Sequence, residues 1–431
     1  MEILAVSFKS LIKSMYPCHS LVPHNRLGNV SWQCYYRKYN SSQHYIRQYY
    51  PILRNGGVIC PQVRPQRQTF VHFSVNNAGN RYLHTSSPKC ALPPALLLFL
   101  RPLSKFAAIL FGRSLRMWWK KLPADKRLFM LEAFRSHRYL LLGLGASIGG
   151  GICYFYITHL EVDPLTKRER FIAFSDDQMK AMAKIEQETM LSKFQGCVLP
   201  ASHPVYREVA KVAMHILESN MDIDKVKHTN WSLIVINSID DKNAFVLPNG
   251  TIFIFTGMLT VCNSIDQLGI IISHEVAHVL LSHMAEQMSR LHLHELLMIV
   301  PIIILWALFP DGVAMFSQWL SNLFVNTLVH LPFSRSVESE ADEVGLQLAA
   351  KACLDVREAS AFWEKMKSLS DSESEEVIEF LSTHPAYDTR KKFLDSKVPE
   401  AMKLREKCNC PALSPLDPRT IIKTEISRKI L

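Results

Sequence analysis

His274-Glu275-Val276-Ala277-His278 sets two histidines four residues apart with a glutamate beside the first, inside an apolar stretch from Ile270 to Leu281. Residues four apart share a helix face, so both imidazoles reach one zinc ion while Glu275 flanks the coordination position left to water. Catalytic zinc takes three protein ligands, and in the His2Glu arrangement the third is a carboxylate from a separate helix. Downstream, Ser334 to Asp342 leads into Glu343 to Ala350, which reads as a helix. Glu338 and Asp342 share one face of it, so Glu338 can bind metal while Asp342 accepts a ring N–H from a ligand histidine. A three-histidine site would need its last ligand six positions after His278, where Met284 stands; His283 misses by one. The chemistry of such a set is hydrolysis: the metal polarises a carbonyl and acidifies water, and Glu275 carries the water's proton to the leaving amine.

The elements ahead of this helix change period. Asp176 to Leu191 reads as helical, and Val205, Val209, Val212, Ala213 and Ile216 recur at helical spacing within Pro204 to Asn220. Trp231 to Ile236 is β-rich, and Ala244 to Leu247, Pro248-Asn249-Gly250 and Thr251 to Phe255 read as strand, turn, strand. The fold class expected is α+β: a mostly helical metallopeptidase domain with a small sheet ahead of the metal-binding helix.

The +10 formal charge would suggest a nucleic-acid partner if it were spread evenly, but residues 1–124 hold 17 Lys or Arg against Glu2 alone. The remainder holds 32 basic and 38 acidic residues, which argues against nucleic acid. An acid-poor, arginine-bearing leader without a compact apolar core reads as a mitochondrial presequence over residues 1–83, with Arg81-Tyr82-Leu83 before a cut at His84. Residues 84–138 follow as a basic, matrix-facing segment. Within it, Ala95 to Lys121 mixes Leu, Phe and Trp118-Trp119 with basic residues, a pattern that lies on an anionic bilayer surface or else continues the presequence.

Tyr139 to Thr158 is 20 residues without charge, long enough at 1.5 Å per residue to cross a hydrocarbon core of about 30 Å. One transmembrane helix is therefore expected over 139–158. Its five glycines would let a second helix approach, from another copy in a homo-oligomer or from none. Residues 120–138 hold six Lys or Arg and 159–178 hold three, which puts the N-terminus in the matrix and residues 160–431 in the intermembrane space. Leu296 to Phe309 is uncharged but short for a span and reads as buried or membrane-dipping. Gly312 to Ser334 also lacks Asp, Glu, Lys and Arg. Phe316, Trp319, Leu320, Leu323, Phe324 and Leu328 form one helical face there, for the domain or for the bilayer. The ten cysteines give no disulfide framework, and Cys408-Asn409-Cys410 reads as an incidental or redox-active pair.

The pentad, the Ser334 to Asp342 segment and Ser382-Thr383-His384-Pro385 to Arg390 together resemble the HtpX and CAAX-prenyl-protease type of gluzincin, over about residues 139 to 395. Within that family the single span and the leader most resemble the mitochondrial inner-membrane endopeptidases whose activity overlaps with the m-AAA protease. The resemblance implies one catalytic Zn2+ on His274, His278 and Glu338, with Asp342 behind them. It also implies a histidine and an arginine near the site, for which His384 and Arg390 are the candidates. His384 would stabilise the oxyanion, or Thr383-His384-Pro385 simply begins a last helix. The family's sheet receives an extended peptide at an edge strand, for which Asn243, Phe245 and Leu247 are the candidates, unless the hairpin is only core. Substrates would be membrane-anchored proteins facing the intermembrane space, including the dynamin-like GTPase that fuses inner membranes; stress control and self-cleavage are also implied. The rivals are a non-catalytic membrane scaffold with structural zinc and a prenyl-protein protease of another membrane.

Overall fold

The computed structural model describes residues 72–73, 94–325, 331–371, 379–384 and 388–421. The expected presequence, apart from residues 72–73, and its processing site lie outside them. In chain order the elements are β1 (His72–Phe73), α1 (Pro94–Lys121), α2 (Ala124–Ser136), α3 (Arg138–Thr158), β2 (Leu160–Val162), β3 (Glu169–Phe171) and α4 (Asp176–Lys193). Next come α5 (Pro204–Ser219), α6 (Asp224–His228), β4 (Trp231–Ile236), β5 (Ala244–Val246), β6 (Thr251–Phe255), α7 (Thr256–Val261) and α8 (Ile265–Leu280). The chain closes with α9 (His283–Leu308), α10 (Asp311–Val325), α11 (Leu331–Lys351), α12 (Glu358–Asp371), α13 (Glu379–Thr383) and α14 (Asp388–Lys407). This is the α+β class the sequence implies, and it divides into two compact units.

The first unit comprises Met1–Asn80, Ala183–Leu281 and Glu338–Leu431. Its sheet has the order β1-β4-β6-β5, with β6 parallel to β4 and antiparallel to β5. Residues 72–73, read from sequence as presequence, form the other edge, antiparallel to β4. Both faces of β4 and β6 are buried: one meets Val209, Ile216 and the helices around α8, the other meets Leu191 of α4 and Phe194 just after it. Two covered faces explain why these strands read as continuous apolar runs rather than alternating ones. The turn into β6 needs Gly250, whose φ of +86° is left-handed and where a Cβ would lie 2.6 Å from Thr229 Cγ2.

Helix α8 is buried on nearly every side, as its apolar flanks require. Ser264 caps its start, the hydroxyl accepting from Gln267 N. Glu358 of α12 ties down the same turn, accepting from Ser264 Oγ at 3.0 Å and from Gln267 Nε2 at 2.8 Å. No disulfide was legible, yet Cys353 and Cys410 form one with their Cα atoms 5.2 Å apart, so Cys410 pairs with the end of α11 and not with Cys408.

The second unit comprises Arg81–Met182 and Ser282–Val337. Helix α3 covers the expected span within one residue at its start. The hairpin β2–β3 that follows is anchored on α9: Arg168 donates to both oxygens of the buried Glu286 at 2.8 and 2.6 Å, and Ala173 N donates to Ser289 Oγ. The run expected at Leu296 to Phe309 is the second half of a continuous 26-residue helix that passes through Pro301. Its charged first half escaped the apolar pattern because Glu286 and Glu295 are held by ion pairs. Helix α9 is, with α3, one of two described helices long and apolar enough to cross a membrane.

Burial raises the Glu358 carboxyl from 4.5 to about 7. A folded-state value above the unfolded one means that the native protein holds an extra proton, so this group's contribution to stability is lost as pH rises from about 4.5 through about 7. Glu358→Gln should flatten that part of the dependence, read as the unfolding midpoint in detergent at pH 5 and pH 8; an unchanged slope would refute the assignment.

Candidate metal centre

Three helices of the first unit converge on the pentad. His274, Glu275 and His278 come from α8, Glu338 and Asp342 from α11, and Arg390 from α14, with His384 just beyond α13. The close approach of α11 to α8 depends on Gly345, where a Cβ would lie 2.9 Å from the His274 Cα. No side chain fits there, which lets two backbones meet directly behind the first histidine.

His274, His278, Glu338 and His384 offer ligand atoms that all lie within 4.8 Å of one another. His274 Nε2 is 3.0 Å from His278 Nε2 and 3.4 Å from Glu338 Oε2, and His278 Nε2 is 3.6 Å from Glu338 Oε1. A tetrahedral metal with bonds of about 2.0–2.1 Å would set its donors roughly 3.3 Å apart, so the three spacings fit one small divalent ion. The tautomer fits too: the His274 Nδ1 lies 3.0 Å from Asp342 Oδ1, so its N–H donates there and leaves the Nε2 lone pair facing the other donors.

Charge gives a second test. Glu275, Glu338 and Asp342 are buried, and Arg390 is the one buried cation with fixed charge among them. With neutral imidazoles the cluster carries two surplus negative charges in a dry setting, which a divalent cation neutralises. The same surplus acts on protons. Burial alone would depress His274, but its bonds to Asp342 and Glu338 prevail and push it up to about 9. Burial would raise Glu338, yet His384, His274 and Arg390 hold it well below the usual carboxylate range. Asp342 is likewise held low against its burial, chiefly by Arg390. Glu275 goes the other way: burial raises it, against the pull of His384 and His274.

Arg390 is more central than a residue merely near the site. It donates from Nε and Nη2 to Asp342 at 2.6 and 2.7 Å, and its Nη1 lies 3.0 Å from Glu338 Oε2. The guanidinium rests on the Trp363 ring, 3.4 Å from its centroid. Trp363 was not singled out from sequence; it follows Phe362 on α12, and no local pattern marks it. His384 is the fourth donor. Its Nδ1 is 3.1 Å from both Glu338 oxygens, and its Nε2 is 3.3 Å from Glu275 Oε1. That Glu275 oxygen is buried and makes no hydrogen bond among the described residues.

The edge-strand expectation divides. Strand β5 lies at the sheet edge, close to α8. Phe245 and Leu247, however, pack their side chains into the cluster of Phe253 and Phe255, with Phe245 stacked on Phe253 at 4.9 Å. Asn243 turns back to accept from Ala244 N through its side chain. What β5 can offer a peptide is therefore backbone, at Ala244 and Val246, which alternate with the bonds from Phe255 N to Asn243 O and from Leu247 N to Thr251 O.

A histidine pair on one helix, a glutamate from a second and a carboxylate-backed ligand histidine define the metal centre of an H-E-x-x-H metallopeptidase. Residues 207–398 match the model of peptidase family M48. The mitochondrial metalloendopeptidase OMA1 of Bos taurus is 40% identical over 80% of this chain and 66% of its own length. That of Danio rerio is 40% identical over 80% of this chain and 73% of its own, and that of Schizosaccharomyces pombe 35% over 62% and 74%. The chain belongs to the OMA1 metalloendopeptidases of family M48, and it spans 66% of the length of the bovine and human members.

Asp342→Asn, which keeps the shape but loses the carboxylate behind His274, should weaken metal affinity by roughly 10–100-fold. Zinc titration against a competing chelator measures this, and an unchanged affinity would remove Asp342 from the site.

Proposed function

We propose that this chain is a zinc-dependent endopeptidase of the mitochondrial inner membrane. One observation carries the reading: a buried carboxylate oxygen of Glu275, without a hydrogen bond among the described residues, stands beside a cluster of metal donors. His274, His278 and Glu338 would hold the ion, oriented by Asp342 and Arg390. When bound, zinc supplies Lewis acidity toward a water molecule and toward the scissile carbonyl.

The remaining steps belong to side chains. Glu275 is buried and raised in pKa, which suits a base that must take a proton from water and return it to the leaving amine. His384 faces Glu275 through Nε2 and is placed to donate to the oxyanion as the carbonyl carbon becomes tetrahedral. An extended substrate pairs with the outward backbone of β5 at Ala244 and Val246. Recognition through main-chain bonds sets little demand on side chains, so selection falls to what reaches the site.

The relatives' names and the acid-poor leader support a mitochondrial address, and the span at α3 supports membrane attachment. The six basic residues at 120–138 favour the matrix side for that end of the span and the intermembrane space for the catalytic unit. The Cys353–Cys410 disulfide agrees with a compartment outside the reducing cytosol. Membrane-anchored proteins of that space are the substrates we infer, the dynamin-like fusion GTPase among them, in quality control under stress. The fourth donor, His384, is the observation that favours a closed structural zinc site instead.

Reconstituted full chain should cleave an anchored reporter, lose activity to a chelator and regain it with zinc. Glu275→Gln should abolish cleavage, by at least about 10²-fold, with zinc stoichiometry unchanged. Glu338→Gln should lose the metal itself. Activity retained by Glu275→Gln would end the general-base assignment, and zinc-loaded parent protein without cleavage would favour the scaffold.

A further inference from the structure

His384 is held differently from the other groups around the pentad. His274, Glu275, His278, Glu338 and Asp342 project from helices of 16 and 21 residues, and Arg390 from one of 20. His384 follows α13, a single turn of five residues, and a helix of that length does not hold itself in water. Its place has to come from tertiary contacts, and Phe380 supplies them. The His384 amide donates to Phe380 O at 2.9 Å, Thr383 Oγ1 donates to the same carbonyl at 3.1 Å, and the His384 ring lies 4.7 Å from the Phe380 ring.

Phe380 is itself fixed from two directions. Its fully buried ring stacks on Trp363, with centroids 5.7 Å apart and planes 19° from parallel, and meets Phe362 edge-on at 6.4 Å. Trp363 also carries the Arg390 guanidinium and meets the His274 ring at 6.2 Å. Both aromatics belong to α12, whose first residue, Glu358, is bonded to the start of the pentad helix. On its backbone side, Phe380 N donates to Lys242 O at 3.2 Å, and Lys242 leads through Asn243 into β5. One residue therefore joins the entry to the sheet edge, the α12 platform and His384.

We propose that Phe380 is the positioning residue for His384: its ring on Trp363 and its amide on Lys242 fix the one turn that aims the imidazole at Glu275. The inference deepens the peptidase reading and rests on it, since the group being positioned is the donor assigned there to the oxyanion. Phe380 touches neither the donor atoms nor the peptide edge with its side chain, so it acts through His384 alone. An aromatic is required by geometry. Ring pairs settle into offset or tilted arrangements at centroid distances of about 4.5–7 Å, and the pairs with Trp363 and His384 both fall in that range. An aliphatic side chain fills the same core without imposing an orientation. The consequence at the site is large, because a donor displaced by about 1 Å costs on the order of 10²-fold in rate. His384 Nε2 stands 3.3 Å from Glu275 Oε1 in the present arrangement.

Hydrogen exchange and a double-mutant cycle on the reconstituted full chain test this. In Phe380→Leu the amides of Glu379–Thr383 and His384 should exchange at least about tenfold faster than in the parent, while those of α8 keep their protection. Zinc stoichiometry should stay the same, because His274, His278 and Glu338 are untouched. For the anchored reporter, kcat should fall at least about tenfold in Phe380→Leu and about 10²–10³-fold in His384→Ala. Adding Phe380→Leu to His384→Ala should then cost no more than about twofold further, since the residue it positions is already gone. A general packing defect would instead multiply the two losses. If Phe380→Leu does not fold, Phe380→Met, flexible and without a ring, carries the same comparisons. Unchanged exchange at 379–384, multiplied losses, or zinc lost together with activity would each overturn the inference. A zinc-loaded parent without cleavage would end the peptidase reading by itself, and exchange would still decide whether Phe380 holds His384.

Discussion

The first unit is organised by a concentration of buried negative charge at one point. Three carboxylates are buried around one guanidinium, and the helices that carry them have no freedom to separate, because Gly345 has already brought α11 onto the backbone of His274. Arg390 is the internal counterweight: it occupies both oxygens of Asp342 and one of Glu338. The remaining deficit is of the size and position that a divalent ion fills. Folding and metal retention are therefore coupled, since apolar packing around α8 must hold charges together that the bare chain would keep apart.

Sequence spacing revealed the half of this site that lies along helices. His274, His278, Glu338 and Asp342 are legible because ligand chemistry demands particular residue types and helix geometry demands four-residue intervals. Arg390 and Trp363 are not legible in the same way. Their roles arise from the stacking of a guanidinium on a ring 27 residues away in the chain, and no local period records such a contact. The Cys353–Cys410 pair fails for the same reason, since its partners are 57 residues apart and the nearer neighbour, Cys408, is the decoy. At β5 the edge position was readable from the strand-turn-strand pattern, but the alternation that sends Phe245 and Leu247 into the Phe253 cluster depends on α4 covering that face. Residue types alone could not say that substrate would meet backbone there.

The two units treat their polar and apolar groups differently. In the catalytic unit, polar groups are buried under apolar packing and must be paired with each other or with a metal. In the second unit, the buried polar contacts collect where helix ends meet the hairpin, at Asp163–Arg170 and Arg168–Glu286, while the helices themselves present bare leucine and phenylalanine outward. A soluble domain would bury such faces. Here they run exposed along α1, α9 and α10, with ion pairs joining α1 to α9 and to the start of α10.

The chain path links the candidate metal centre to the second unit. The pentad helix ends at Leu280 and α9 begins three residues later, with Ser282 at a φ of +52° as the hinge between them. Glu338 is supplied seven residues into α11, whose start ends the uncharged stretch from Gly312 to Ser334. Two of the three protein groups that would bind metal are thus joined closely along the chain to elements of the second unit: His278 through four residues to α9, and Glu338 through the start of α11.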